Sequence, residues 1–160
     1  MERVNKILNN SIYKNSYKLN EECEKTRIYC KHDMTHYLNV ARIAWIFNLE
    51  ENIGLSRELV YATALLHDIG KHEQYLNKIP HEIASARIAL DILKDCGFNE
   101  EETKIIISAI EKHRDPSIKD CPDLNGIMFR ADKMSRSCFT CAASETCNWD
   151  LEKRNLEIKY

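Results

Sequence analysis

The sequence predicts an all-α fold in a single domain. The chain has 160 residues, which is enough for one domain with a real core. It contains only 4 glycines and 3 prolines, and strand-rich domains use more of both residues in their turns. Apolar residues recur at intervals of three and four in several segments, whereas no segment alternates convincingly between apolar and polar residues. We therefore expect helices throughout.

The first two predicted helices carry the clearest apolar periodicity. One begins at Thr35, which is expected to be its N-cap, and continues to Asn48. The other extends from Ser56 to Ile69, and its apolar residues repeat at three and four. Gly70 is expected to close this second helix, because glycine is favoured just beyond a helix C-terminus.

Four further segments are predicted to be helical. Pro80 is well placed to introduce a helix over residues 81–96. Residues 99–113 begin with an N-cap asparagine and an acidic first turn, both of which favour a helix start. Residues 124–136 are expected to form another helix. The charged segment 150–160 is expected to form a final, exposed helix.

The overall composition limits the class of protein. Lys plus Arg is 23 and Asp plus Glu is 25, so the net charge of -2 gives no reason to expect a nucleic-acid partner. The first 15 residues are too polar for a signal peptide, and no apolar run approaches the roughly 20 residues of a membrane span. Seven cysteines, an odd number, suit reduced thiols better than a disulfide framework. These features predict a cytoplasmic protein with no membrane association.

The stretch "ALLHDIGKH", residues 64–72, is the most informative motif. It places His67 and Asp68, two metal-capable side chains, where a helix approaches its end. The chain has only six histidines, and most of them lie at a helix end or beside an apolar stripe. Asp132 lies within an apolar stretch, where a buried carboxylate would need a partner. A metal site assembled from several helices would explain this pattern.

The order of these residues resembles that of the HD-domain metal-dependent phosphohydrolases. The motifs that carry the resemblance are His36 in "HYLNVA", His67-Asp68 in "LLHDIGK", His81 in "IPHEIASA", His113 in "AIEKHRD" and Asp132 in "ADK". The resemblance covers roughly residues 27–136. It implies an HD-domain helical bundle. We expect a single domain over residues 1–160, in which residues 137–160 form a cysteine-containing extension outside the general HD motif.

The resemblance also implies a set of metal ligands. It assigns four residues to a first ion (His36, His67, Asp68 and Asp132) and two to a second (His81 and His113), with Asp68 as a bridge. The spacing in "HYLNV" favours His36 over His32, while His81 and His113 keep an alternative role as helix-end residues. Imidazole and carboxylate ligands suit Fe, Mn, Zn, Co or Ni, so the sequence selects neither the metal nor one ion over two.

The activity implied by the resemblance is hydrolysis of a phosphomonoester or phosphodiester by metal-activated water. Asp68, Lys71 and His72 are the expected catalytic residues, with His72 as a proton donor. Lys71, Arg114 and Arg136 are expected to bind the phosphate, although Lys71 could equally be a solvated helix end. The expected substrate is a small nucleotide or other phosphate ester, and the expected state is a monomer or homodimer.

Two alternative functions remain open at this point. A minority of HD proteins resemble di-iron oxygenases, and the same ligands could hold two irons. The protein could also be a non-enzymatic binding protein that responds to metal or redox state through its cysteines.

A second metal-binding pattern lies in the extension. Cys138, Cys141 and Cys147 form a Cys-x2-Cys-x5-Cys pattern, and two closely spaced thiolates can bind one ion. A closed site needs a fourth cysteine. Cys30 is favoured over Cys121, because it precedes the metal-binding stretch at His36. Zinc, an iron–sulfur cluster and unliganded thiols all remain open for this site.

Overall fold

A computed structural model of the chain describes residues 1–160 and contains eight α-helices and no β-strand. The helices are α1 (Glu2–Asn9), α2 (Ser11–Cys23), α3 (Met34–Glu50), α4 (Arg57–Leu66), α5 (Lys71–Asn77), α6 (His81–Cys96), α7 (Glu100–Lys112) and α8 (Leu124–Met134). Single 3₁₀ turns occupy Pro116–Ile118, Cys138–Thr140, Ser144–Thr146 and Leu151–Lys153. The predicted all-α fold is confirmed. None of these helices has the length and apolar character needed to cross a membrane.

The core lies among five of these helices. Helix α3 packs against α4 and α8, and α7 packs against α4, α6 and α8. Each of the five contributes at least one fully buried large side chain to a single apolar cluster: Tyr37, Leu65, Ile92, Ile110 and Met128. Burying one such apolar side chain stabilises the fold by about 1.5–3 kcal/mol. The core therefore fixes the relative positions of the helix ends, where the polar motifs lie.

The starts and ends of the helices differ in detail from the prediction. The N-cap of helix α3 lies two residues earlier than expected, because the Asp33 carboxylate caps the helix by accepting a hydrogen bond from the His36 amide at 2.9 Å. The prediction that Thr35 is the N-cap is therefore wrong. Helix α4 ends at Leu66, so Gly70 does not close it and instead directly precedes α5.

Helices α1 and α2 lie outside the region of the predicted core. They pack against α4, α5 and α6 and bury Val4, Ile7 and Tyr13. Helix α2 also brings Asn20 and Glu24 into the interior, where both side chains are almost fully buried. The N-terminal helices therefore supply polar groups to the middle of the molecule as well as covering its apolar surface.

The C-terminal segment does not form the expected helix. Only a 3₁₀ turn at Leu151–Lys153 interrupts an irregular chain. No residue from position 136 to position 160 is buried. A helix in a globular protein depends mainly on packing an apolar face. This segment lacks such a face, which explains why the prediction of a helix over residues 150–160 is wrong.

Candidate metal centre

His67 and Asp68 lie in the turn between α4 and α5. The turn is pressed against the first half of α6, because the Gly70 amide donates a hydrogen bond to Ser85 Oγ at 2.9 Å. A Cβ atom on Gly70 would lie only 2.5 Å from the Ser85 backbone nitrogen. Only glycine fits such a close approach without movement. The contact holds the His67-Asp68 pair close to the N-terminus of α6, where His81 is the first helical residue.

The first group of converging side chains joins α3, the α4–α5 turn and α8. The ligand atoms of its members all lie within 4.8 Å of one another: His36, His67, Asp68 and Asp132. His67 Nε2 is 3.2 Å from Asp68 Oδ2, and His36 Nε2 is 3.5 Å from Asp132 Oδ1. Two imidazoles and two carboxylates thus surround one point.

The second group shares Asp68 with the first. It adds His81 from α6 and His113, which caps the C-terminus of α7. Asp68 Oδ1 is 3.0 Å from His81 Nε2 and 3.6 Å from His113 Nε2. The other oxygen of the same carboxylate, Oδ2, faces the first group. This arrangement gives Asp68 the geometry of a bridge between two neighbouring cations.

The four histidines of the two groups present Nε2 to the site and donate a hydrogen bond from Nδ1. A histidine that donates from one ring nitrogen keeps a lone pair on the other, which is the tautomer that a metal requires. The Nδ1 acceptors are Ser135 Oγ for His36 (3.1 Å), the Ala64 carbonyl for His67 (2.7 Å), Gln74 Oε1 for His81 (2.5 Å) and the Ile110 carbonyl for His113 (2.6 Å). The Ser135 hydroxyl donates to the Asp132 carbonyl, which leaves its oxygen free to accept from His36.

The inward-facing atoms lack hydrogen-bond partners. Six buried side-chain polar atoms in the chain have no partner, and four of them belong to this site: Nε2 of His36, Nε2 of His67, Oδ1 of Asp68 and Oδ1 of Asp132. Buried polar groups almost always have a partner, so a cluster of exceptions calls for an explanation. Divalent metal ions at the two groups would satisfy all four atoms. The residues present therefore fit a metal centre.

The charge state of the site agrees with this fit. Burial alone would raise the pKa of Asp132, but Lys133 and His67 hold it well below its usual range, so the carboxylate is anionic. Burial lowers the pKa of His113 to about 4, which keeps this imidazole neutral and able to act as a ligand. Burial also lowers the pKa of His67, but the charges of Asp68 and Asp132 outweigh it and raise the pKa to about 10. The two carboxylates therefore attract positive charge at the point that His67 Nε2 faces, where a bound metal ion would replace the proton on Nε2.

His32 also reaches the site, a contact that the stretch "KHDMTH" indicates only weakly. Its Nε2 lies 3.6 Å from Asp68 Oδ2, and its Nδ1 is 2.5 Å from Glu24 Oε1. Tyr75 donates a second hydrogen bond to the same carboxylate oxygen at 2.7 Å. Burial raises the pKa of Glu24, but hydrogen bonds from His32 and Tyr75 lower it to about 2. An ionised Glu24 thus orients His32 toward the site.

A cavity of about 440 Å³ opens over the two groups. Its wall includes His32, Asp68, His81, His113 and Asp132. Six cationic side chains also line it: Arg27, Lys71, Arg114, Lys133, Arg136 and Lys153. Gln74 and Trp149 also line it, and the Arg136 guanidinium carbon lies 4.0 Å from the centre of the Trp149 ring. The wall of the site therefore carries more cations than carboxylates and one aromatic side chain.

The cavity contains three of the four side chains that the sequence suggested for catalysis or phosphate binding beyond the ligands. Lys71, Arg114 and Arg136 all line it, and Lys71 Nζ is 3.2 Å from His81 Nδ1. His72 does not line it. The His72 ring and backbone nitrogens contact Asn20 Oδ1 instead, at 3.0 and 2.7 Å. This position gives no support to the expectation that His72 is a proton donor at this site, and that role stays a prediction.

The cysteines of the extension lie beside this centre. Cys30, Cys138 and Cys141 line a second cavity, of about 320 Å³, together with His36 and Arg136. Cys147 does not line it. All seven cysteines are free thiols, and Cys121 lies next to the start of α8 rather than in either cavity.

Comparisons with known proteins agree with the geometry. The family model described as "HD domain" matches residues 34–137, which is more than half of the chain. An uncharacterized protein of Clostridium beijerinckii is 48% identical over 160 residues, and the match covers 100% of both chains. A bifunctional uridylyltransferase/uridylyl-removing enzyme of Nitrobacter hamburgensis is 40% identical over 57 residues, which are 36% of this chain and 6% of that protein. No solved structure matches.

The matched region begins at α3 and ends just after α8, so it contains all six residues of the two converging groups. The chain belongs to the HD domain family.

Proposed function

We propose that this protein is a metal-dependent phosphohydrolase that acts on a small nucleotide or other phosphate ester. The observation that carries the proposal is the convergence of unpartnered ligand atoms from two groups beneath a cavity lined by six cations. Divalent ions held by the two groups would activate water for attack on phosphorus and polarise the phosphoryl oxygens. The identity of the metal (Fe, Mn, Zn, Co or Ni) does not alter the roles described below.

The cations of the wall support a phosphate ester over the alternative substrates. Six positive side chains line the cavity beside two site carboxylates, Asp68 and Asp132. Two of these cations, Arg114 and Lys153, also pair with Glu82 and Asp150 outside the cavity. An excess of this size suits a substrate that carries several negative oxygens, such as a nucleotide with more than one phosphate. A di-iron oxygenase acting on an uncharged substrate would have no use for this lining.

Four residues of the wall have distinct roles in this proposal. Lys71 and Arg136, which lie beside the ligand groups, bind the phosphoryl group that is attacked. Trp149 has the Arg136 guanidinium against one face of its ring, and a nucleobase could stack on the other face, since base–aromatic stacking contributes about 1–3 kcal/mol. His32 takes the part that the sequence assigned to His72: held by Glu24, it exchanges a proton with the substrate.

A relative and the free thiols add support. The Nitrobacter hamburgensis protein carries in its name the removal of a uridylyl group, which is a nucleotide attached through phosphorus. The seven free cysteines suit the reducing environment of the cytoplasm, which is where we propose that the protein works.

The proposal is tested by phosphate release from a panel of nucleotides and simple phosphate esters, with Mn²⁺ or Fe²⁺ supplied without air. Asp68→Asn removes the shared ligand without changing the side-chain volume. Loss of an outer-shell partner costs about 10–100-fold in metal affinity or activity, so loss of a bridging ligand should cost at least about 100-fold. The matched control is Asp91→Asn, which alters an exposed carboxylate on α6.

Turnover of one substrate class that is lost in Asp68→Asn and kept in Asp91→Asn supports the proposal. Turnover that survives in a folded Asp68→Asn protein would place the activity elsewhere. No turnover of any phosphate ester by metal-loaded protein would favour a binding protein.

A further inference from the structure

Three cysteines that are far apart in the sequence share one cavity. Cys30 lies in the loop before α3, whereas Cys138 and Cys141 follow α8. The packing of α3 against α8 brings the two segments together. The resulting cavity of about 320 Å³ adjoins the candidate metal centre, because His36 and Arg136 also form part of its wall.

A fourth cysteine is anchored beside the same cavity. The Tyr29 hydroxyl donates a hydrogen bond to the Thr146 carbonyl at 3.1 Å, and Tyr29 lines the cavity next to Cys30. Arg154 donates to the carbonyls of Cys147 (2.8 Å), Ser144 and Trp149. These hydrogen bonds hold the backbone at Cys147 one residue from the Tyr29 contact.

The C-terminal segment, residues 136–160, carries three of these cysteines and has no core of its own. None of residues 136–160 is buried, and the regular structure of this segment is limited to three single 3₁₀ turns. Cys138, Cys141 and Cys147 are nevertheless partly covered. Segments too small to bury an apolar core usually depend on disulfides or a metal, and all of these thiols are free. A metal group would therefore supply the cross-link that the packing does not.

The spacing of the thiols favours a cluster over a single zinc ion. Zinc holds four thiolates at about 2.3 Å, which brings the sulfur atoms to within roughly 4 Å of one another. Only two groups of three or more side chains have ligand atoms within 4.8 Å of one another. Both lie at the candidate metal centre and neither includes a cysteine, so no three thiols are as close as a single zinc ion requires. A cluster bound by four cysteines places its own iron and sulfide between the thiolates, which keeps them farther apart and fills a larger cavity.

The surroundings carry the charge that such a cluster requires. Lys31 and Arg136 line the cavity. Arg27 Nε donates a hydrogen bond to the Cys30 carbonyl at 2.9 Å. A cluster bound by four cysteine thiolates is negatively charged, and these cations would offset part of that charge.

We propose that Cys30, Cys138, Cys141 and Cys147 are the four ligands of an iron–sulfur cluster that fastens the C-terminal segment to the HD domain. The cluster site is separate from the HD metal centre and does not depend on the proposed hydrolysis. Its structural consequence is that Trp149 and Lys153, which lie in this segment, remain in the wall of the larger cavity.

The test measures acid-labile sulfide, iron, zinc and visible absorbance in protein purified without air, both as isolated and after reconstitution with iron and sulfide. Cys30→Ala and Cys147→Ala remove one ligand from each segment. Cys23→Ala is the matched control, because Cys23 is a partly covered thiol at the end of α2, outside the cavity. Asp68→Asn separates cluster iron from iron at the HD centre, and circular dichroism verifies that each variant is folded.

We expect sulfide and visible absorbance in the wild-type, Cys23→Ala and Asp68→Asn proteins and their loss in Cys30→Ala and Cys147→Ala. The two ligand variants should also be cut by trypsin at Lys153 several-fold faster than the control. Zinc without sulfide, removed by the same cysteine changes, would overturn the cluster. Sulfide absent from all proteins even after reconstitution would overturn it too, and sulfide retained in Cys147→Ala would exclude that residue as the fourth ligand.

Discussion

The close approach of Gly70 to helix α6 leads to a specific prediction for Gly70→Ala. The backbone angles at Gly70 (φ -91°, ψ 14°) are accessible to alanine, so the effect arises from space alone. The added Cβ would lie 2.5 Å from the Ser85 nitrogen and 2.7 Å from the Ala84 carbonyl carbon, whereas ordinary contacts begin at 3.4 Å. Since these neighbours are backbone atoms, the turn and α6 must separate by about 0.9 Å.

The cost of this separation can be worked out in two parts. Overpacking a dense interior costs about 1–3 kcal/mol, and weakening the hydrogen bond from the Gly70 amide to Ser85 costs about 1 kcal/mol more. Alanine restricts the unfolded chain, which offsets about 0.4–1 kcal/mol. The free energy of unfolding should therefore fall by about 1–4 kcal/mol. Because Asp68 lies in the turn and His81 on α6, we also expect affinity for the second metal ion to fall about 10–100-fold.

Urea unfolding and competition with a chelator measure the two effects. Gly97→Ala is the matched control, because Gly97 ends the same helix at φ +84° and a Cβ atom added there would have no neighbour within 4 Å. Its positive φ should cost about 1 kcal/mol without altering metal affinity. Wild-type stability and metal affinity in Gly70→Ala, or an equal loss of affinity in both variants, would refute the reasoning.

Three further predictions concern groups around the centre. Gln74→Ala removes the group that accepts a hydrogen bond from His81 Nδ1. Competition with a chelator should then show an affinity for the second metal ion that is about 10–100-fold lower, with the affinity for the first ion unchanged. Equal weakening of binding at both positions would contradict this. The folded-state pKa of Glu24 is about 2 against an ordinary 4.5, so its stabilising effect is present above pH 4.5 and lost as pH falls toward 2. The free energy of unfolding should therefore depend less on pH over that range in Glu24→Gln than in the wild type. An unchanged dependence would mean that His32 does not stabilise the Glu24 carboxylate. Lys71→Met should lower kcat/KM for a phosphate ester about 10–100-fold with metal content unchanged, and wild-type kinetics would place Lys71 outside the substrate site.

The metal-ligand groups could be predicted from the sequence because their members stand in recognisable short motifs on helices. His36, His67, Asp68 and Asp132 each have apolar neighbours that fix a helix or its end, and the core then brings those ends together. The same reasoning links Cys30 to Cys138 and Cys141, which share a cavity.

Other parts of the site depend on contacts that local patterns do not reveal. Asn20 lies 48 residues from Asp68, yet its side-chain amide donates to the Asp68 carbonyl at 3.0 Å. The Glu24–His32 pair joins the end of α2 to the loop before α3, and no periodic pattern in this stretch indicates it. Adjacency in "HDIGKH" likewise does not show that the ring of His72 contacts Asn20 instead of lining the cavity.

The sharing of Asp68 by two metal ions is the central claim, and metal counting tests it most directly. Protein carrying Cys138→Ala and Cys141→Ala, which removes thiolate-bound metal, should be analysed alone and with either His113→Ala or Asp68→Asn added. We predict about two ions per chain in the parent, about one with His113→Ala and none with Asp68→Asn, since one carboxylate belongs to both groups. Retention of either ion in folded Asp68→Asn protein would contradict the account.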